Sequence, residues 1–334
     1  MALLITGGAG YIGSHMVYAS LDQGIPVVVI DDLSASTTDF LPKEVVFYQG
    51  DVADRALLER IYAKHDIEAI VHFAGSILVP ESVHNPLKYY KNNTAKTQEL
   101  LASAIDAGIG RFIFSSTAAV YGEPGISPIP ETTKLQPLSP YGSSKLMSET
   151  MIRDTAASHG LSYGILRYFN VAGADPGLRT GQCTPNATHL IKVASQAAHG
   201  QRNHLDLYGT DYPTNDGTCV RDYIHVSDLA HAHVLAFRHL AGGGESFTMN
   251  CGYGQGFSVR EVIDVVKQVS GKNFPVMEVG RRAGDPPHLV AEASRIRAVL
   301  GWEPKHNSLE GIVRDAFAWE GKLSSVQERA AAVS

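Results

Sequence analysis

Tyr141 and Lys145 stand four residues apart in the stretch SPYGSSKLMSE, just after Pro140 and at the start of a segment with helical spacing. Residues at that separation share one face of a helix. By itself the spacing is met equally by two polar side chains on a solvated face. It also fits proton transfer. A tyrosine, with an unperturbed pKa near ~10, is a poor base at neutral pH. Positive charge one turn away favours the phenolate and lowers that value, so Tyr141 could take the proton of an alcohol.

The segment TGGAGYIGSH (6–15) supplies the partner that such chemistry needs. Gly7, Gly10 and Gly13 fit GxxGxxG, while Gly8, Gly10 and Gly13 fit GxGxxG. Glycine permits the tight turn and lets backbone N–H groups approach a pyrophosphate at a helix N-terminus. Alone the motif is also an ordinary Gly-rich turn. Here a strand precedes it, a helix follows, and the next strand ends at Asp31. An acidic side chain there binds the adenosine ribose and repels a 2′-phosphate, so NAD is expected rather than NADP. Its oxidised nicotinamide ring would add to the positive charge beside Tyr141. Asp51 and Val52 in GDVAD (50–54) fall where one polar and one apolar contact could hold an adenine. HFAGS (72–76) and FSSTAAVYG (114–122) end strands on the same sheet edge, where ligands of such sheets bind. Each of these loops taken singly is also an ordinary strand-to-helix connection.

These residues need a frame. Apolar runs at 3–6, 26–30, 45–49, 69–73, 111–116 and 163–169 alternate with helical segments near 11–22, 54–65, 92–108 and 141–159. That pattern predicts βαβ units and a doubly wound parallel (Rossmann-type) α/β sheet. Residues 171–224 are rich in Gly, Pro, Asn and Thr, with one helix expected near 187–200, and 225–240 returns to helical spacing. The expected division is an NAD-binding domain of 1–170 and 225–242, and a smaller C-terminal α/β substrate domain of 171–224 and 243–322. The small polar residues of 323–334 read as a frayed, flexible tail.

Composition narrows the partners. With 334 residues, 44% hydrophobic and 19% charged, the chain has ordinary globular proportions. A net charge of -6 gives no electrostatic reason to bind nucleic acid or anionic membrane. No apolar run approaches a membrane span. Cys183, Cys219 and Cys251 lie too far apart for a metal-ligand motif and read as thiols in a reducing compartment. The opening MALLITGG has no basic region and reads as a first strand, so a cytoplasmic protein is expected. His231, His233 and His239 share one helix without metal-ligand geometry and read as helix-surface residues; no metal site is expected. The sequons at 92–94 and 186–188 would go unused in the cytoplasm.

TGGAGYIGSH, the hydroxyls at 115–117 and Tyr141/Lys145 together resemble the extended short-chain dehydrogenase/reductase superfamily. More narrowly, HFAG…PESV, YYKNNT, LRYFNVAGA, YGTDYPTNDGTCVRDYIHVSDLA and RRAGD resemble the UDP-glucose 4-epimerase family from Leu3 to about Trp319. The resemblance implies C4 epimerisation of a UDP-sugar through a transient 4-keto intermediate, with hydride kept on tightly bound NAD. Tyr141 would handle the 4-hydroxyl proton, Lys145 would tune it and bind the nicotinamide ribose, and Thr117 would bond the reacting oxygen. Carried over by position, the cofactor site includes Tyr11, Ile12, Asp31, Asp51, Val52, Phe73, Ala74, Asn92, Ser115 and Tyr168. On the substrate side, Asn170 and Arg221 contact the sugar nucleotide, Tyr208 lies near the uracil, and Arg282 and Asp285 meet diphosphate and ribose. A homodimer through the helices near 92–108 and 141–159 is also implied.

Some positions depart from the family pattern. Thr117 stands where a serine is common and keeps a hydroxyl. Ile77 stands where some members place a lysine near the nicotinamide. Leu289 occupies the position linked to admitting or excluding N-acetylated sugars. Dehydratases of this superfamily carry an Asp-Glu pair after the hydroxyl residue; Ala118 and Ala119 cannot supply that proton chemistry. The alternatives are an epimerase of UDP-N-acetylhexosamines or UDP-pentoses, a dehydrogenase exchanging free NAD, and a non-catalytic NAD-binding protein.

Overall fold

Strand β1 (Ala2–Thr6) sends Leu3 and Ile5 to one face and Leu4 to the other, and all three are fully buried. Strand β2 (Val27–Asp31) repeats this, with Val27 and Val29 in one core and Val28 and Ile30 in the second. Successive side chains point to opposite faces, so such strands must lie between two layers. Helix α1 (Tyr11–Leu21) joins them, and β3 (Val46–Gln49) and α2 (Arg55–Lys64) follow. Next come β4 (Ile67–His72), the short α3 (Val79–His84) and α4 (Pro86–Tyr89), a π turn over Tyr90–Ala95, and α5 (Lys96–Asp106). Strand β5 (Arg111–Thr117), α6 (Pro140–His159) and β6 (Ser162–Tyr168) complete the first half.

In the second half, β7 (Asn170–Ala172), α7 (Leu190–Ala198), β8 (Leu205–Tyr208), β9 (Val220–His225) and α8 (Val226–Ala241) come first. They are followed by β10 (Phe247–Cys251), β11 (Gly256–Ser258), α9 (Val259–Ser270), β12 (Val276–Val279), β13 (His288–Leu289), α10 (Ser294–Leu300) and α11 (Leu309–Val333). This computed structural model describes residues 1–184, 187–282 and 284–333, with side chains of the last helix described through Ser325. Asn186 of the second sequon lies outside the described residues.

The seven-stranded sheet runs β10-β6-β5-β4-β1-β2-β3 with every neighbouring pair parallel, the Rossmann-type arrangement that the alternation predicts. One face is covered by α1 and α8 through Met16, Val17, Leu229 and Ala236. The other is covered by α2, α5 and α6 through Leu58, Leu100, Leu101 and Ile152. The edge strand β3 is half-exposed, because it has a neighbour on one side only.

Three details differ from the sequence expectations. Strand β10 lies within 243–322, the stretch expected in the second unit, yet it extends the large sheet by pairing with β6. Its core residues Phe247, Met249 and Cys251 join the α8 side, which explains the placement. Residues 171–224 are less irregular than their composition suggests, since β9 pairs with β7, β11 and β13, and β8 pairs with β12. The last helix is continuous from Leu309 to Val333 and crosses the stretch expected as a tail. Its QERAAA run consists of good helix formers, which a reading for polarity alone overlooks.

Helix α11 is fixed by a buried ion pair. Lys192 Nζ on α7 bonds Glu320 Oε2 at 2.8 Å and the Gln182 carbonyl at 2.9 Å, while Gln196 donates to Glu320 Oε1 at 3.1 Å. Removing one partner strands a buried charge, so Glu320→Ala is expected to lower stability by about 3–5 kcal/mol. Lys192→Met with Glu320→Leu should recover most of that loss. Urea titrations of the three proteins check this; a Glu320→Ala protein as stable as the wild type would refute it.

Candidate active site

The glycine loop between β1 and α1 is built so tightly that larger residues do not fit. Gly7 has φ +68, and a Cβ there would lie 2.7 Å from the Ala74 nitrogen; at Gly13 it would lie 2.1 Å from the Gly7 carbonyl. Gly10 caps α1 without a side chain, so the first N–H groups of the helix are left for a ligand. Asp31 ends β2 and braces the loop, accepting from Ala9 N at 3.0 Å, Leu33 N at 2.9 Å and the Ser36 hydroxyl at 2.9 Å. Asp32, its neighbour, turns outward to Ser34. This cradle suits a dinucleotide pyrophosphate, and the carboxylate beside it suits a ribose.

Val52 is buried, whereas the Asp51 carboxylate is half-exposed and meets Lys96 Nζ on α5 at 2.7 Å. Against the upward push of partial burial, Lys96 and the Ala53 N–H hold this carboxyl below its ordinary value. Lys96 is a basic residue beside Asp51 that the sequence reading did not place there.

Helix α6 begins where its sequence dictates. The Ser139 hydroxyl accepts from Gly142 N at 3.2 Å, Pro140 fills the first turn, and Gly160 closes the helix with φ 71. Tyr141 and Lys145 therefore share its inner face, and both are buried. A solvated face is excluded. Lys145 Nζ donates to the Ser115 carbonyl at 2.9 Å and lies 4.8 Å above the Phe114 ring. Burial, partly offset by Glu149, pulls its pKa from 10.5 down to about 8. Burial pushes the Tyr141 phenol up, while the Thr117 hydroxyl pulls it down. In the chain without its cofactor, burial outweighs the Thr117 hydroxyl, so the phenol keeps its proton.

Ser115 and Tyr168 are joined by a hydroxyl–hydroxyl bond. Thr117 caps the turn Ala118–Val120 by accepting from Ala119 N at 3.1 Å. Phe73 and Tyr168 both pack on the imidazole of His233, with ring centroids 4.8 and 6.4 Å away. His233 is fully buried, which corrects the helix-surface reading, and burial drops its pKa to about 4. Its signal was present in the apolar side of α8, where Leu229 and Phe237 stand four residues to either side. Asn92 donates to the Ser76 hydroxyl at 3.0 Å, and Tyr11 donates to the Gly173 carbonyl at 2.7 Å. Ile12 and Ala74 are half-buried at the loop, and Ile77 is exposed.

A second cluster lies on the smaller sheets. Arg221 on β9 pairs with Asp285 and stands opposite Leu289 on β13. The Arg282 guanidinium stacks 3.8 Å from the Tyr208 ring centroid. Asn170 lines a cavity with Tyr11, Tyr223, His189 and Lys192.

Two residues missed by the sequence reading anchor α6. Glu149 is fully buried and accepts from Arg167 at 2.9 and 2.6 Å, from the Ser116 hydroxyl at 2.6 Å and from Arg153 at 3.1 Å. The spacing 141–145–149 was the available sign. Among the described residues, His225, His306 and Asp315 bring three ligand-type atoms within 4.8 Å of one another. The Ser227 N–H points at His225 Nδ1 at 3.0 Å, so the ring proton sits on Nε2 and faces Asp315 at 3.2 Å. A metal at Nε2 would require a doubly deprotonated ring, so the trio is a hydrogen-bonded corner.

Residues 3–252 match the NAD dependent epimerase/dehydratase family. The chain belongs to it. Within this epimerase/dehydratase family, a UDP-glucose 4-epimerase of Azospirillum brasilense is 59% identical over 321 residues, covering 96% of this chain and 92% of that one. A crystal structure of the UDP-glucose 4-epimerase from Brucella ovis in complex with NAD superimposes with a TM-score of 0.93 at 42% identity, covering 96% of this chain and 98% of that chain. The enzyme from Bifidobacterium longum in complex with NAD+ and UDP gives 0.91 at 36% identity, with the same coverage. As a member of an NAD-dependent family with the glycine cradle described above, the chain uses NAD.

The lowered lysine has a thermodynamic consequence. Between about 8 and 10.5 the unfolded chain holds the Lys145 proton and the folded one does not, so stability rises with pH across that window. Urea titrations at pH 7.5 and 10 should show this gain in the wild type and its loss in Lys145→Met. Equal pH dependence in both proteins would contradict the assignment.

Proposed function

We propose that the chain interconverts UDP-glucose and UDP-galactose by reversible epimerisation at C4 through a transient 4-keto sugar, with NAD held tightly as its cofactor. One observation carries this reading: a buried phenol beside a threonine hydroxyl, with a buried ammonium one helical turn away that lies against the Ala74–Gly75 loop closing on Gly7. The identity with UDP-glucose 4-epimerases along nearly the whole chain supports it.

Bound NAD supplies the hydride acceptor and donor for C4. The chain's own residues manage the proton and the position. Tyr141 takes the C4 hydroxyl proton and later returns it, and Thr117 bonds the same oxygen. Lys145 supplies positive charge next to the phenol and reaches the nicotinamide ribose. Gly7, Gly10, Tyr11, Ile12 and Gly13 line the pyrophosphate, Asp31 holds the ribose, and Asp51 and Val52 hold the adenine. Phe73, Ala74, Asn92, Ser115 and Tyr168 enclose the nicotinamide end. Asn170 and Arg221 contact the sugar nucleotide, Tyr208 lies near the uracil, and Arg282 and Asp285 grip diphosphate and ribose. Paired charge-assisted bonds from arginine suit a group that must stay fixed while the keto sugar turns. Leu289, between tyrosine and cysteine in bulk, sets the room beside the sugar. We further infer a cytoplasmic homodimer built on α5 and α6, and a division into an NAD-binding part (1–170 with 225–242 and strand β10) and a substrate part formed by 171–224 and the rest of 243–322.

Purified protein given UDP-galactose without added NAD should form UDP-glucose, and Tyr141→Phe should lower kcat by about 10²–10⁴-fold. Unchanged turnover in that variant would defeat the mechanism. The rate should fall above about pH 8 as Lys145 loses its charge. Leu289→Tyr should cut turnover of UDP-N-acetylgalactosamine more than that of UDP-galactose; equal effects on both would refute the gating role.

A further inference from the structure

His72, the last residue of β4, is buried among groups whose hydrogen bonds leave it one tautomer. The Thr97 hydroxyl has one proton and gives it to the Asn93 carbonyl at 2.7 Å, so its oxygen must accept from His72 Nε2–H at 2.9 Å. Nδ1 is then the acceptor for the Thr6 hydroxyl at 2.7 Å, and the Thr6 oxygen accepts from Ala74 N at 3.4 Å. Burial, assisted by the charge of Lys145, keeps the ring neutral and lowers its pKa to about 3. The ring stacks on Phe114 at 5.8 Å and 25°, a contact that an apolar side chain would satisfy equally well.

The line of bonds continues beyond Thr97. Asn93 lies in the π turn, and its carbonyl also accepts from the Ser148 hydroxyl at 2.6 Å. Its side chain accepts from Ser76 N at 2.7 Å, donates to the Ser76 carbonyl at 3.0 Å and donates to the Ser144 hydroxyl at 3.1 Å. Ser144 in turn gives its proton to the Tyr141 carbonyl at 2.8 Å. Gly75 is required beside this clamp, since a Cβ there would lie 2.9 Å from Asn93 Oδ1. Thr6, His72, Asn93, Thr97, Ser144 and Ser148 are all buried, and each of their polar side-chain atoms has a partner.

We propose that His72 is a positioning residue: through Thr6 on one side and Thr97, Asn93 and Ser144 on the other, it sets the glycine loop and the first turn of α6 in one fixed relation. The inference rests on the epimerase reading, in which the glycine loop holds NAD and Tyr141 moves the proton. A fully satisfied buried polar chain selects one geometry among several that an apolar filling would allow. This chain runs between the ends of β1 and β4 and the helix that presents the phenol, where a small displacement changes the reacting distance most.

The test compares three variants with the wild type, using kcat and KM for UDP-galactose, NAD content and thermal midpoint. His72→Leu combined with Thr6→Val and Thr97→Val removes the polar chain without leaving its hydroxyls unpaired, so folding and NAD binding should persist. Its kcat should drop about tenfold or more with KM within about threefold of the wild type. His72→Leu alone should lose at least as much kcat. His72→Gln keeps an N–H donor near the Nε2 position and should restore kcat to within about threefold. A triple or His72→Leu variant with wild-type kcat overturns the positioning role, as does an equal loss in His72→Gln and His72→Leu. If the wild type itself fails to epimerise UDP-galactose, the epimerase reading falls and the positioning role falls with it, whereas an active wild type beside an equally active His72→Leu defeats the positioning role alone.

Discussion

A carboxylate with no access to water must be neutralised where it lies, and Glu149 is neutralised by Arg167 from the neighbouring strand. This pair determines where α6 can sit. Glu149 is one turn beyond Lys145 and two beyond Tyr141, so fixing its carboxylate on β6 fixes the rotation of the helix about its own axis. Ser116 adds a bond from β5, and Arg167 reaches on to the Tyr121 hydroxyl, which donates to Asn250. Three parallel strands and the catalytic helix thereby share one buried polar hub. Removing either charge would leave its partner stranded in the core.

Much of this was legible in the sequence. Apolar runs of four to seven residues separated by helical spacing implied a parallel sheet, and the glycine spacing plus Asp31 located the dinucleotide cradle. The Tyr141/Lys145 face was visible as a separation of four, although spacing could not say that the face turns inward. That depends on Glu149 and Arg167, which are eighteen residues apart and meet only once β6 lies beside the helix. Lys96 beside Asp51 was hidden for the same reason, because α5 approaches β3 only in three dimensions. Strand β10 resembles any short apolar run, and its place in the large sheet is decided by the open edge of β6. His233 was obscured by a general expectation that histidines are surface groups, while its apolar flanks pointed to the core.

The two halves of the site use charge differently. Around the phenol, water is excluded and every charge is paired or held by backbone, which gives small movements of charge large energetic effects. Around Arg221, Arg282 and Asp285 the guanidinium groups rest on a carboxylate and an aromatic ring. Arg221 is itself buried and its Asp285 partner only half-exposed, so breaking that pair costs more than breaking a surface ion pair, whereas the stacked ring beside Arg282 holds no charge.

Because a chain is made from its N-terminus, β10 and α11 complete the structure late. The glycine cradle and the Tyr141 helix are complete within the first half of the sequence, but their sheet lacks its outer strand until Cys251 has emerged. Lys192, facing the cavity of Asn170, has no counter-charge until Glu320 is made. A nascent chain can therefore assemble the core of the large sheet early and yet leave the cavity beside Lys192 without its counter-charge until α11 is made. Interruption near the end would leave a protein with an intact cofactor cradle and a charged, unclosed pocket, the kind of exposed intermediate that chaperones retain.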